Sequence, residues 1–469
     1  MPDLEYIFHP KSIAIVGAST NPFSAVNHFF LDPLIDFGYE GNIYPIHPKA
    51  SELSGLKVYP SILDVPGPVD HVTCGIRATL TPQLMRECVA KKVKVVHLFT
   101  SGFSEIGREQ GLRLEKEITE IARQGNIRVL GPNCMGIYCP SSKFSYESSF
   151  PKESGNVGFL AQSGGNSVEI VQLGDIRDVR FSKLVSYGNA SDINEADLLE
   201  YFANDPQTKI IIGYIEGTHN GRRFASALQK AAAVKPVIIL KGGITKSGVK
   251  VAASHTGSLA GSAIIWDSLF RKLGVIQVES MPELVDLVLL FQHLQPPRGR
   301  RIGLLGGGGG SSVLIADSCE KEGILIPPFP DELKKRIREI IPEEADPGTT
   351  VRNPVDLSYS GSNPDFFGGT FDIVANYDGI DFLLVFTNVD FGFSDGTNPL
   401  LTMQTDIIIK RKEKLNKPMA LVLRRSGDPK TAQFASDIQH KCLQAGIPVF
   451  ASFNEAAHAI NKFIRYYRK

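Results

Sequence analysis

Short, unbroken apolar runs that end in glycine- or hydroxyl-rich turns recur along this 469-residue chain, and they restrict its fold more than any other feature. Ser12-Ile13-Ala14-Ile15-Val16 is the first of them, and Ile302-Gly303-Leu304-Leu305 opens the last third. An apolar run of this length without alternation suits a strand buried on both faces. Further strands are expected at 42–46, 71–76, 93–99, 155–160, 209–217, 236–243, 381–386 and 418–423, with a strand and loop over 182–192, separated by helix-length segments. That alternation predicts an α/β fold of doubly wound parallel sheets. At about 150 residues per domain, the length suggests roughly three domains. The Pro/Gly/Arg-rich stretch His293–Arg301 is the clearest boundary.

Composition narrows the function classes. Hydrophobic residues make up 42% and charged residues 21%, and the formal net charge is +0. Nothing in this balance calls for a nucleic acid or a polyanionic surface as partner, so anions must be bound by local arrangement. The six cysteines lack the paired spacing of a zinc site, and no metal site is expected; the pattern suits reduced thiols in a cytoplasmic protein. Neither a signal peptide nor an apolar run of ~18 residues is apparent, so no membrane partner is expected.

The strand ends carry the chemistry, because ligands of such sheets bind at the carboxyl edge. Gly17-Ala18-Ser19-Thr20-Asn21-Pro22 follows the first strand, before a helical stretch reaching about Phe37. His47-Pro48-Lys49 follows the second, where a nicotinamide dinucleotide site usually has an acid for the ribose. A lysine there favours a phosphate-bearing nucleotide. Thr100-Ser101-Gly102-Phe103 and Leu130-Gly131-Pro132-Asn133-Cys134-Met135-Gly136 are two more such ends. Gln162-Ser163-Gly164-Gly165-Asn166-Ser167 precedes a helix expected from near Val168. Its small residues admit a phosphate to free N–H groups, or Ser163 or Asn166 is a simple N-cap; both readings stand. Glu216 falls at the carboxyl end of an apolar strand, either as a helix cap or as a carboxylate that orients an imidazole. Gly306 to Gly310, then Ser311-Ser312, precede a helix through Val313, Ala316 and Asp317; five glycines are costly to order, and close approach of a phosphate explains them better than a turn. Finally, Val251 to Ser262 surrounds a single histidine, His255, with small residues, and is expected as a loop.

These motifs together resemble the nucleoside-diphosphate-forming acyl-CoA synthetases, the superfamily of succinyl-CoA synthetase and the ADP-forming acetyl-CoA synthetases. The resemblance rests on Val16–Ser19, Tyr44–Lys49, Ser101–Phe103, Gly131–Gly136, Gln162–Gly164, Ser186–Asn189, Tyr214–Gly217, Ser254–Gly261 and Asn353–Leu357. It implies a Rossmann-like CoA-binding domain over 1–148, a succinyl-CoA synthetase-like flavodoxin domain over 149–292, and a second flavodoxin-like domain over 302–469. Gly17, Ser19, Lys49, Ser101, Asn133 and Cys134 would line the coenzyme A site. Gly75-Ile76-Arg77 departs from the apolar residue and proline of many relatives, which leaves the contact at Arg77 open. His255 would be the phosphorylated histidine, swinging on its loop, and Glu216 its carboxylate. The phosphate would rest between the helix starts at Ser163-Gly164-Gly165 and Gly309-Gly310-Ser311. The implied reaction is acid + ATP + CoA ⇌ acyl-CoA + ADP + phosphate. ATP/ADP and Mg²⁺ would sit on a separate ATP-grasp β-type subunit, in an α2β2 heterotetramer, because three domains account for this chain. Two other classes compete. A non-catalytic CoA- or acyl-CoA-binding regulator is disfavoured by the Glu216 and His255 pair, and a nicotinamide oxidoreductase by Lys49.

Overall fold

A computed structural model describes residues 4–21, 23–256, 262–341, 343–345 and 351–468, without the side chains of 252–256 and 345. The backbone divides into two compact units, Met1–Leu284 and Val285–Lys469.

The first unit holds two sheets. One is a five-stranded parallel sheet in the order Asn42–Ile46, Ser12–Val16, His71–Cys74, Val95–Leu98, Arg128–Leu130. Numbered along the chain this is 2-1-3-4-5, the doubly wound arrangement. The other repeats that order in Phe181–Ser186, Val157–Ala161, Ile210–Ile215, Val237–Lys241 and Ile276–Val278, and adds Gly136–Tyr138 antiparallel at one edge. That edge strand belongs by sequence to the segment 1–148, yet it pairs with Phe181–Ser186. The two sheets are further tied where Asn189 N–H donates to Pro132 O (3.0 Å) and Ser191 N–H to Gly131 O (3.0 Å). Arg128 adds ion pairs to Asp192 (2.8 Å) and Asp197 (3.4 Å).

The second unit has one sheet, ordered Val355–Asp356, Ile302–Gly306, Phe382–Asn388, Met419–Arg424, Val449–Phe450, again 2-1-3-4-5. Every residue of Ser12–Val16, Val157–Ala161 and Ile302–Gly306 is buried, as unbroken apolar runs require. Each fully buried Ile, Leu or Val contributes on the order of 1.5–3 kcal/mol. In all three sheets the first and third strands are neighbours, and there the chain leaves in opposite directions. This switch point is where an open α/β sheet offers a crevice. Among the described residues, no helix is long and apolar enough to cross a membrane.

Candidate functional site

At the first switch point, Gly17 has φ +99°, and a Cβ there would lie 3.0 Å from the Gly75 carbonyl carbon. Two strand ends packed this closely account for the glycine without a ligand. Ser19 is held in place: its N–H donates to Asn27 Oδ1 (2.9 Å), and Asn27 Nδ2 donates to its carbonyl (2.7 Å). Lys49 and Ser101 are exposed, and Asn133 takes a left-handed φ of +59° while its N–H donates to Thr100 O (3.1 Å). These residues follow the carboxyl ends of one sheet. Cys134 is different. It is 3% exposed with Sγ directed to Leu98 O (3.9 Å), and burial pushes its thiol pKa up, so its side chain lies beneath that edge and not on it. Arg77 is exposed at the start of the short turn Ala78–Leu80.

At the second switch point the helix begins at Gly164, four residues before the expected start near Val168. Ser163 is its N-cap: the backbone is extended there and Oγ accepts from Asn166 N–H (3.3 Å). Gly164 and Gly165 therefore occupy the first helical turn, where N–H groups lack intrahelical partners. A Cβ on Gly164 would sit 2.6 Å from Met135 Cγ, so packing against the turn that follows Arg128–Leu130 fixes that glycine.

Glu216 is 5% exposed, directly beyond strand Ile210–Ile215. Its Oε1 accepts from Tyr214 O–H (3.1 Å). Its N–H and that of Gly217 (3.0 Å) both donate to Gln162 Oε1, which stitches the two strand ends together. Tyr214 also bonds the Asn166 side chain; burial, then the charge of Glu216, raise its phenol pKa. A chain of polar contacts thus runs from the carboxylate to the helix start. Lys241 closes the arrangement from the next strand. Its Nζ donates to Glu216 O (2.7 Å) and Gly242 O and lies 4.9 Å from the Trp266 ring centroid. Burial lowers its pKa to about 8, with Glu216 opposing that shift.

Of the segment Val251 to Ser262, expected to be a loop around the histidine, the part up to Thr256 is helical and completes the helix Lys246–Thr256. Thr245 starts it, with Oγ1 accepting from Gly248 N–H (3.0 Å), and the lysines and alanines that follow favour helix. The backbone of His255 is in this helix, which lies against the turn Ser104–Ile106. The His255 imidazole and Gly257–Gly261 lie outside the described residues.

At the third switch point, helix Gly309–Lys321 has no side-chain cap. Gly308 precedes it with φ +102°, a conformation L side chains rarely adopt, and donates its N–H to Asp356 Oδ1 (2.9 Å) and Ser358 Oγ (2.6 Å). Gly309 and Gly310 are exposed, and a Cβ on Gly310 would meet nothing within 4 Å. Ser311 Oγ accepts from Arg424 Nη1 (3.0 Å), and that guanidinium stacks 4.7 Å from the Phe453 centroid. Exposed first-turn N–H groups, a hydroxyl and a fixed guanidinium are the kinds of group that could hold an anion.

Four contributors are not marked by sequence reasoning: Gln162 and Tyr214 appear there only within motifs, and Lys241 and Arg424 carry no signal of their own. All four lie at or next to the carboxyl end of an expected strand, a position that could have marked them. Among the described residues, no group of three or more His, Cys, Asp or Glu is placed to hold a metal.

Residues 11–140 match the CoA binding domain family, and 154–291 the succinyl-CoA ligase like flavodoxin domain. The chain is 35% identical over 378 residues to the alpha subunit of ADP-forming acetate–CoA ligase I of Pyrococcus furiosus, covering 80% of each. It is 39% identical over 358 residues to the ADP-forming acetate–CoA ligase of Methanocaldococcus jannaschii, covering 76% of this chain but 49% of that protein. It thus spans about half the length of that relative. In structure it resembles acetyl-coenzyme A synthetase 1 of Ca. Korarchaeum cryptofilum, solved with phosphate and ADP. The TM-score is 0.84 at 31% identity, covering 100% of this chain and 97% of the other. The chain belongs to the ADP-forming acetate–CoA ligase family.

Proposed function

We propose that this chain is the α-type component of an ADP-forming acyl-CoA synthetase, acid + ATP + CoA ⇌ acyl-CoA + ADP + phosphate. The observation that carries the proposal is the second switch point. A buried carboxylate, Glu216, is linked through Tyr214 and Asn166 to a serine-capped, glycine-rich helix start. The helix that contains His255 leaves the neighbouring strand of the same sheet.

Segment 1–148 holds CoA at Gly17, Ser19, Lys49, Ser101 and Asn133, with Cys134 as support beneath them. In segment 149–292 the helix start at Ser163-Gly164-Gly165 offers N–H groups to phosphate, and in segment 302–469 the one at Gly309-Gly310-Ser311 does so separately. In the ATP-forming direction, phosphate displaces CoA from the thioester and gives acyl phosphate. One imidazole nitrogen of His255 then attacks phosphorus and releases the acid. Glu216 accepts a hydrogen bond from the other nitrogen, which fixes the tautomer and stabilises the positive charge that develops. Helix N-termini supply the positive potential a transferring phosphoryl group needs. ADP then takes the phosphoryl group from phospho-His255 on an ATP-grasp β-type partner. Mg²⁺ bound on that partner would supply neutralisation of nucleotide charge, and the assembly would be an α2β2 heterotetramer.

The test is thioester synthesis from acid, CoA and ATP with a β-type partner present. The proposal expects ADP and acyl-CoA in equal amounts, and loss of both with His255→Ala. Equal rates in wild type and His255→Ala contradict it.

A further inference from the structure

The buried polar side chains beside Glu216 are paired. Gln162 Oε1 takes two backbone N–H groups, Tyr214 O–H donates to Glu216, and Lys241 Nζ serves two carbonyls. Glu195, at the start of helix Glu195–Asn204, accepts from Thr218 Oγ1. Tyr187 is different. It is 0% exposed, and its hydroxyl has no hydrogen-bond partner among the described residues. A buried hydroxyl left unpaired is costly, and a phenylalanine would fill the same space without that cost. The hydroxyl therefore points to a second state in which it is paired.

Its place in the fold limits what that partner is. Tyr187 directly follows strand Phe181–Ser186, and its N–H donates to Ala161 O (2.9 Å) at the end of the neighbouring strand Val157–Ala161. Glu216 directly follows Ile210–Ile215, on the other side of that same neighbour. Two strand spacings, roughly 10 Å, separate the two backbones, and a tyrosine and a glutamate side chain together bridge such a gap. Burial, then the charges of Glu195 and Glu216, push the phenol pKa up, which places both carboxylates near it. Glu195 is engaged by Thr218 and by its own N–H, and nothing in the proposed reaction disturbs it. Glu216 is the carboxylate whose surroundings change, because phospho-His255 leaves it for the partner's nucleotide. A buried carboxylate that loses a donor is destabilised.

We infer that Tyr187 is a positioning residue that alternates with His255 as a donor to Glu216. With the imidazole docked, the Tyr187 hydroxyl is idle. When the histidine departs, the hydroxyl turns to the carboxylate and keeps it ionised and aimed for the return. No proton is transferred: one N–H···O bond gives way to one O–H···O bond. This rests on the proposed synthetase reading and adds how its carboxylate is held through the cycle.

The full chain with its β-type partner, Mg²⁺, ATP, CoA and acetate is assayed as wild type, Tyr187→Phe, Glu216→Ala and the double variant. Tyr187→Phe should lower kcat by about ten- to a hundredfold, the size of a lost hydrogen bond to a charged group. KM for CoA and for acetate should change by less than about twofold, because the hydroxyl touches neither. In the Glu216→Ala background no carboxylate remains to receive the hydroxyl, and the same change should cost less than about twofold. The Tm of the chain alone should stay level or rise in Tyr187→Phe, since the resting hydroxyl has no partner to lose; a merely structural tyrosine would lower it. An unchanged kcat, an equal loss in both backgrounds, or a lowered Tm overturns the inference. With His255→Ala inactive, that result leaves the synthetase reading intact. Equal acetyl-CoA formation by wild type and His255→Ala, or none by either, removes that reading and the alternation with it.

Discussion

The two glycine-rich helix starts look alike in sequence and differ in construction. The one at Ser163 is closed by its own side chain: Ser163 Oγ takes the Asn166 N–H, and Gly164 is pressed against Met135. Around it stand a carboxylate, a phenol and a buried ammonium, Glu216, Tyr214 and Lys241. The one at Gly308 has no side-chain cap, an exposed first turn, and a guanidinium at Ser311. Glycine therefore reports three separate constraints here: close packing at Gly164, a positive φ at Gly308, and open approach at Gly310. On the proposed reading, the first start orients a reacting side chain and the second receives an anion.

Replacing Arg424 should have the largest effect among tests of this contrast. Arg424→Gln removes the fixed charge from the second start only, and kcat/KM for the acid should fall by about ten- to a hundredfold, the size of a lost charge-assisted hydrogen bond. An unchanged value would erase the distinction between the starts. Next come the glycines. Gly308→Ala forces an alanine to φ +102° and should destabilise the second unit by about 1–2 kcal/mol in chemical denaturation. Gly310→Ala, in open space, should stabilise it by about 0.5–1 kcal/mol. Ser163→Ala should cost about 1 kcal/mol as a lost N-cap, whereas Ser311→Ala, whose hydroxyl caps nothing, should stay within about 0.5 kcal/mol.

The smallest effect concerns pH. Lys241 has a folded pKa of about 8 against an ordinary 10.5, so between those values the unfolded chain binds the proton that the folded chain has released. Stability should then rise with pH across that window, and the burial penalty is fully present below pH 8. Melting curves of wild type and Lys241→Met should diverge in favour of wild type from pH 8 to 10.5. Parallel curves would mean that Lys241 does not titrate there.

The strands were legible because residues such as Ile13–Val16 and Ile302–Leu305 are apolar without interruption, and burial on both faces leaves no other arrangement. The doubly wound parallel class followed from the alternation with helices, whereas the strand order 2-1-3-4-5 is seen only in the structure. Glu216 was legible from its place after a buried strand. The helix start at Gly164 was not, because glycine weakens helix propensity; Ser163 and the packing against Met135 override it. Helix through His255 was hidden for a related reason, since small hydroxylated residues suit a loop as well as a helix capped by Thr245. Residues such as Arg424 and Tyr214 act through partners distant in sequence, Ser311 and Asn166, which no local pattern displays. Cys134 illustrates the converse: its motif suggested a lining residue, and the sheet buries its side chain under the edge.

The central claim is that His255 carries the phosphoryl group under the control of Glu216. The most direct measurement is to incubate the chain and a β-type partner with γ-labelled ATP and Mg²⁺, and to map acid-labile, base-stable phosphate by peptide. The account predicts label on the peptide containing His255, none in His255→Ala, and labelling slowed by about 10²- to 10⁴-fold in Glu216→Gln. Label elsewhere, or wild-type labelling rates in Glu216→Gln, would contradict it.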